Sequence, residues 1–251
     1  MKSNLLLLPG WGMDESVWQP LCRCLADVNF RHVHWRGLKD EQDIIKRVEE
    51  ALKQEGQAIL AGWSLGALAA LQAAAVYPQH VDGLILIGGT ARFVADKEYQ
   101  HGWNPAFVKR MKKNLQDNRN RTLVLFDGGM FSEAEHEWPA AFKEMRLKFQ
   151  EDSVSSLLAG LDYLLHQDAR PILPALQMPL LLLHGEADKI CPLSAAKFME
   201  ANTQAKLHIV ANAGHAPHMT RAEECAFYIQ SFVKENSVQP IKKGESLFEQ
   251  D

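Results

Sequence analysis

Short runs of apolar residues alternate along this chain with longer segments whose apolar positions recur at helical spacing. The short runs predict strands at residues 4–8, 31–35, 57–61, 83–88, 179–184 and 206–210. Their continuous hydrophobicity, clearest in the leucines at 180–183, is typical of strands covered on both faces. Helical patterns fill residues 15–27, 40–55, 65–77, 193–201 and 221–234. The alternation predicts an α/β fold with a mostly or wholly parallel sheet of about six strands.

One long segment interrupts this alternation. Between positions 88 and 179 the chain shows helical patterning without a convincing central strand, and this length exceeds an ordinary connection. We therefore expect an inserted helical cap, or lid, at residues 92–174, and a core formed by residues 1–91 and 175–238. The polar residues 239–251 are expected to form a flexible tail.

Composition and charge narrow the possible functions. The 251 residues are 47% hydrophobic and carry a formal net charge of −4, which argues against a general nucleic-acid binder. Apolar runs are too short to span a membrane, and the N-terminal leucines are too few for a signal peptide. The four cysteines lack the spacing of metal ligands, so we expect free thiols and no metal site. The sequence thus predicts a cytoplasmic monomer that binds neither nucleic acid nor membrane.

The segment Gly62-Trp63-Ser64-Leu65-Gly66 carries the first chemical signal. It follows a predicted buried strand and precedes an alanine-rich helix, which is the context of a nucleophile elbow. In such a turn the serine hydroxyl is exposed on a sharp bend, and the flanking glycines avoid clashes with nearby backbone. The alternative is a tight strand-to-helix turn in which Ser64 merely caps the helix. The context favours Ser64 as a catalytic nucleophile.

A serine nucleophile needs a base, and the base needs a group that orients it. Asp188 follows the strand at 179–184 and His215 follows the strand at 206–210, in the chain order serine, acid, histidine. Glu186 is an alternative acid, but the shorter Asp188 lies further along the loop. His218 is an alternative base, although we expect it to face away at the start of the last helix. A third histidine, His184, is expected to be packed or hydrogen-bonded at its strand end.

Two backbone N–H groups are needed to hold the oxyanion of an acyl-transfer reaction. One is expected from Leu65, directly after the nucleophile, and the other from Trp11 in the glycine-rich loop after the first strand. We expect the Trp11 indole to line an acyl pocket, with simple core packing as the alternative.

Together these motifs resemble the α/β-hydrolase superfamily over essentially the whole chain. The segments Leu8-Pro9-Gly10-Trp11-Gly12-Met13, Val17-Trp18 and Ala213-Gly214-His215-Ala216-Pro217 are more specifically similar to BioH-type pimeloyl-[acyl-carrier protein] methyl ester esterases. The resemblance implies that Ser64 is the nucleophile, Asp188 the acid and His215 the base. It also implies an oxyanion hole formed by Trp11 and Leu65. The hairpin that usually opens the hydrolase sheet is not expected, because only three residues precede the first predicted strand.

The resemblance extends to the predicted cap, where residues 121–126 are similar to a helix that presents an arginine and a channel phenylalanine. It implies that Phe126 and Met130 bind substrate, together with Trp11, Ser64, Leu65 and His215. Arg110, Lys113 and Arg121 are the candidate contacts to an acidic carrier protein, with an ordinary solvated helix face as the alternative. Further basic residues expected after Phe126 have no clear match, since residues 132–139 are acidic and irregular.

These features predict a serine carboxylesterase that cleaves a methyl or other short alkyl ester without a cofactor. The resemblance implies pimeloyl-[acyl-carrier protein] methyl ester, a substrate of biotin synthesis. The alternatives are a general short-chain carboxylesterase, a cofactor-free lyase similar to those of the menaquinone pathway, and a ligand-binding protein without turnover.

Overall fold

The computed structural model describes residues 2–237, whose centre is a six-stranded sheet. The strands are β1 (Ser3–Leu8), β2 (Val28–His32), β3 (Ala58–Trp63), β4 (Val81–Ile87), β5 (Leu180–Gly185) and β6 (Lys206–Val210). They lie in the order β2-β1-β3-β4-β5-β6, and every neighbouring pair is parallel. The predicted wholly parallel sheet is therefore confirmed.

Helices connect and cover the strands. The α-helices in the described residues are α1 (Gln19–Cys24), α2 (Gln42–Glu55), α3 (Leu65–Val76), α4 (Pro105–Asp117), α5 (Arg119–Gly128), α6 (Trp138–Arg146), α7 (Val154–His166), α8 (Leu193–Ala201), α9 (Pro217–Thr220) and α10 (Ala222–Ser237). Short 3-10 turns lie at Glu15–Trp18, Pro78–His80, Glu133–Glu135 and Arg170–Ala175. Within residues 2–237, no helix is long and apolar enough to cross a membrane.

The strand predicted at 31–35 lies three residues earlier in the structure. The observed β2 is an edge strand with alternating partly buried and exposed positions, so it lacks the continuous apolar signal of a central strand. The apolar residues that suggested the later position, Val33 and Trp35, follow the strand in a buried loop. The Trp35 indole donates to Pro9 O at 2.7 Å, which fixes that loop beside the end of β1.

The predicted helix at 15–27 is also shorter and divided. Asp14 caps a 3-10 turn, Glu15–Trp18, through a hydrogen bond from Ser16 N at 2.9 Å. The α-helix begins only at Gln19, with Pro20 in its first turn, where a missing N–H is tolerated. It ends at Cys24.

Four helices, α4 to α7, fill the chain between β4 and β5, where the sequence predicts a cap. Their first and last connections to the sheet are tied together: Ala169 N donates to Ala91 O at 2.8 Å, and Arg92 pairs with Asp168 at 2.6 Å. The division into core and cap remains a prediction, and the tail predicted at 239–251 lies outside the described residues.

Candidate active site

Ser64 lies between β3 and α3 in a backbone conformation that non-glycine residues rarely adopt, with φ 56° and ψ −115°. The flanking glycines are required sterically. A Cβ on Gly62 would lie 2.3 Å from Gly66 O, and one on Gly66 would lie 2.0 Å from Leu8 O. The Ser64 side chain makes no capping hydrogen bond to α3, which disfavours the alternative of a simple helix cap. The strain instead holds its hydroxyl at the carboxyl end of the sheet.

Asp188 and His215 meet beyond the ends of β5 and β6. His215 Nδ1 and Asp188 Oδ2 are 2.8 Å apart, and both side chains are almost fully buried. The other carboxyl oxygen, Asp188 Oδ1, accepts hydrogen bonds from the backbone N–H groups of Ile190 and Cys191 at 2.8 and 2.9 Å. The carboxyl group is therefore fixed in orientation before it meets the imidazole.

The backbone of His215 is held from both sides. His215 N donates to Met130 O at 2.6 Å, and His215 O accepts from the Trp63 indole at 2.8 Å. A Cβ on Gly88 would lie 2.7 Å from His215 O, so the end of β4 also approaches closely. His215 therefore contacts Trp63 and Gly88, which are sequence neighbours of Ser64 and Ile87, and Ser64 N donates to Ile87 O at 3.0 Å. His215 Nε2 is buried and has no hydrogen-bond partner among the described residues.

The alternative acid and the strand-end histidine occupy different environments. Glu186 is exposed and accepts from Asn212 N at 3.2 Å. His184 Nε2 lies 2.7 Å from Cys191 O and 3.5 Å from Asp188 Oδ2, as expected for a hydrogen-bonded strand-end histidine. Burial lowers the pKa of His184, although the nearby Asp188 opposes that shift. The neutral imidazole therefore fits the role of a packing residue.

The expectation for His218 was wrong in its location. This residue lies in α9, before the last helix, and is fully buried between the rings of Trp18 and Trp63, with ring centroids 4.8 and 4.7 Å away. Burial, and then the neighbouring His215, lower the pKa of His218 to about 3. Neither ring nitrogen has a hydrogen-bond partner within residues 2–237. His218 packs behind the site as a neutral ring.

Trp11 packs against α7. Its indole Nε1 donates to Leu157 O at 2.8 Å, and its ring meets that of Phe126 edge to face at 5.2 Å. A Cβ on Gly160 would lie 2.7 Å from Trp11 Cδ1 and 3.7 Å from Leu65 Cδ1. The structure therefore packs Trp11 against Phe126 of α5 and against α7, and Leu65 approaches α7 at the same glycine.

The predicted carrier contacts, Arg110, Lys113 and Arg121, are all exposed on α4 and α5. Two neighbouring basic residues instead form ion pairs within the predicted cap: Lys112 pairs with Asp162 of α7, and Arg119 lies 3.8 Å from Glu151 in the loop before α7. Because the acidic partners come from elsewhere in the chain, the local charge pattern did not reveal these pairs.

Sequence reasoning missed one contact to the histidine loop (residues 212–215). Residues 132–139 looked irregular, but Ser132 and Glu135 form a capping box around the turn Glu133–Glu135. Glu135 Oε2 also accepts from Gly214 N at 2.8 Å, directly before His215. The Ser-x-x-Glu spacing was a usable signal for the turn. No local pattern indicated that the turn would contact residues almost eighty positions later.

A parallel sheet, a serine at a strained strand-to-helix turn and a buried aspartate–histidine pair beyond later strands together define an α/β-hydrolase architecture. A model of the alpha/beta hydrolase family matches residues 5–226, and the chain belongs to this family. The predicted fold and family are thereby confirmed.

Two curated relatives are similar to this chain over most of its length. The chain is 31% identical over 231 residues to a pimeloyl-[acyl-carrier protein] methyl ester esterase of a Shewanella species, covering 88% of this chain and 87% of that protein. It is 31% identical over 244 residues to the protein of that name from Photobacterium profundum, covering 92% and 95%. These relatives confirm the predicted resemblance.

Two further similarities are more limited, one in coverage and one in sequence identity. A biotin biosynthesis bifunctional protein BioHC of Cellvibrio japonicus is 29% identical over 91% of this chain, and the match covers 47% of that longer protein. Among solved structures, an esterase from Exiguobacterium antarcticum superposes with a TM-score of 0.82 at 21% identity, covering 92% of each chain. At this level of sequence identity, the similarity to the Exiguobacterium esterase supports the fold alone.

Proposed function

We propose that this enzyme, a carboxylic ester hydrolase, cleaves the methyl ester of a pimeloyl chain carried on acyl-carrier protein, using Ser64, His215 and Asp188. The observation that carries the proposal is the 2.8 Å contact between His215 and Asp188, buried beside the strained Ser64 turn. The names of the relatives, pimeloyl-[acyl-carrier protein] methyl ester esterases, supply the substrate.

The proposed chemistry begins at the unpartnered Nε2 of His215. Asp188 accepts a hydrogen bond from Nδ1–H of His215, which keeps the proton on Nδ1 and leaves Nε2 free to remove the proton from Ser64 Oγ. The Ser64 oxygen attacks the ester carbonyl, and the N–H groups of Trp11 and Leu65 stabilise the oxyanion by roughly 3 kcal/mol each. As the tetrahedral intermediate collapses, His215 gives the proton taken from Ser64 to the departing methoxide oxygen, which leaves as methanol. Water, activated by the same histidine, releases the acid from the acyl-enzyme without any cofactor.

The acyl chain is proposed to pass along the wall formed by Trp11 and Phe126. Their edge-to-face contact at 5.2 Å gives an apolar surface suited to methylene groups. Met130 is fully buried, and its carbonyl oxygen accepts from His215 N, so it would line the chain's path near the base. This arrangement favours an extended aliphatic acyl group over a bulky one.

The carrier is proposed to dock on the exposed basic residues of α4 and α5. Arg110, Lys113 and Arg121 are exposed, whereas the chain as a whole has a net charge of −4. A local positive surface on an acidic protein would attract an acidic carrier and repel it elsewhere. We also propose a cytoplasmic location for this enzyme, since its four cysteines are free thiols.

The test compares kcat/KM for methyl pimeloyl-carrier protein with that for free dimethyl pimelate. The triple variant R110E/K113E/R121E should lower kcat/KM on the carrier-bound ester by at least about tenfold, mainly through KM, and leave the free ester unchanged. A matched control reverses the charges of three exposed basic residues outside the predicted cap, Arg23, Lys197 and Lys234. Equal wild-type rates on both substrates would instead indicate a general carboxylesterase.

A further inference from the structure

Three hydrogen bonds join the histidine loop (residues 212–215) to a segment that we name the clamp turn (residues 130–135). His215 N donates to Met130 O at 2.6 Å, and Gly214 N donates to Glu135 Oε2 at 2.8 Å. In the reverse direction, Ser132 Oγ donates to Asn212 O at 2.6 Å. The clamp turn lies between α5 and α6, so it belongs to the helical segment by sequence but contacts the loop of the proposed base.

Glu135 is the centre of this contact. It is 1% exposed, and its Oε2 accepts from both Ser132 N at 2.7 Å and Gly214 N. Its Oε1 is buried without a hydrogen-bond partner among the described residues. A buried carboxyl group with half of its hydrogen-bonding capacity unused is costly compared with an apolar side chain. Within the part of the chain that the structure describes, its one long-range hydrogen bond connects the clamp turn to the histidine loop.

The approach of the two segments is very close. A Cβ on Gly214 would lie 2.4 Å from Met130 O and 3.0 Å from Glu135 Oε2. The next residue, His215, is the one whose Nδ1 must stay within 2.8 Å of Asp188 Oδ2. Small shifts of the Gly214 peptide would therefore move the imidazole relative to both Asp188 and Ser64.

We propose that Glu135 is a positioning residue for His215: it holds the peptide of Gly214 so that the imidazole stays aligned between Asp188 and Ser64. This inference rests on the proposed function, because it assumes that His215 is the base.

The experiment measures kcat and KM on a free methyl ester for E135A and E135Q, with E133A as the matched control. Glu133 lies in the same 3-10 turn, but its side chain is 97% exposed. E135A should lower kcat by about 10- to 100-fold with KM changed less than twofold, because only the alignment of the base is lost. E135Q should recover most of kcat, since its amide oxygen can accept the same two N–H groups.

A spectroscopic measurement separates alignment from stability. The low-field proton resonance of His215 Nδ1–H reports its hydrogen bond to Asp188, and it should weaken or broaden in E135A but persist in E135Q and E133A. If E135A does not fold, S132A replaces it, with a smaller fall in kcat expected from the loss of the hydrogen bond to Asn212. A folded E135A or S132A variant with the kcat of E133A would overturn the inference, as would an E135Q as impaired as E135A. An inactive wild type would instead refute the proposed function.

Discussion

Replacing Gly160 by alanine tests the packing that supports the proposed oxyanion hole. Gly160 lies inside α7, where alanine is normally favoured over glycine by about 1 kcal/mol. Here the added Cβ would lie 2.7 Å from Trp11 Cδ1, well inside van der Waals contact. The indole cannot rotate away freely, because its Nε1 is hydrogen-bonded to Leu157 O and its ring packs against that of Phe126.

The magnitude follows from these opposing effects. Overpacking of a buried side chain costs about 1–3 kcal/mol, which offsets or exceeds the gain from helix propensity. We expect Gly160→Ala to lower the free energy of unfolding by up to about 2 kcal/mol. Displacement of Trp11 also moves its backbone N–H, the proposed donor, away from the oxyanion. Loss of one such donor costs about 10²- to 10³-fold in kcat. A partial displacement should therefore lower kcat by about 10- to 100-fold.

The assay is hydrolysis of a p-nitrophenyl ester together with urea unfolding. Gly128→Ala is the matched control, since Gly128 ends α5 and a Cβ there would meet no atom within 4 Å. The control should keep wild-type kcat and equal or greater stability. If Gly160→Ala matched Gly128→Ala in both kcat and free energy of unfolding, the packing of α7 on Trp11 would not support catalysis.

Two further variants test other parts of the site. Asp188→Asn should lower kcat roughly 10⁴-fold without unfolding the protein, because the amide no longer fixes the productive tautomer of His215; a fall below tenfold would exclude Asp188 as the orienting acid. His218→Phe should reduce acid sensitivity. The buried ring has a pKa of about 3 in the folded protein, against about 6.5 unfolded, so it destabilises the folded state as pH falls below 6.5, by about 2 kcal/mol at pH 5. Urea titrations at pH 8 and pH 5 should show about 2 kcal/mol less loss of stability in His218→Phe than in wild type or in the exposed His136→Phe control.

The inner strands β1, β3, β4 and β5 were predictable because they are largely buried, which gives each a long apolar run. The edge strand β2 was misplaced for the opposite reason: its alternating burial gave a weak signal, and Val33 and Trp35 were buried by a loop instead. Local periodicity reports burial, and burial is not confined to regular elements. The same limit explains the division of the helix predicted at 15–27.

The candidate site was predictable from the sequence wherever a short local motif determines the geometry of the backbone around it. The glycines around Ser64 are required because a Cβ at either position would clash with nearby backbone. The order of Asp188 and His215 along the chain follows the order of the strands that precede them. Contacts between distant segments carried no such signal. The burial of His218 against two tryptophans and the bond from Gly214 to Glu135 depend on how the whole chain folds.

The most direct test of the central claim is to trap the acyl-enzyme. Wild type and Ser64→Ala would be mixed with an activated ester, quenched in acid within milliseconds, and examined by intact-mass and peptide mass spectrometry. The account predicts one added acyl group, located on Ser64, in wild type and no adduct or turnover in Ser64→Ala. Sustained hydrolysis by Ser64→Ala, or a wild-type adduct on another residue with none on Ser64, would contradict it.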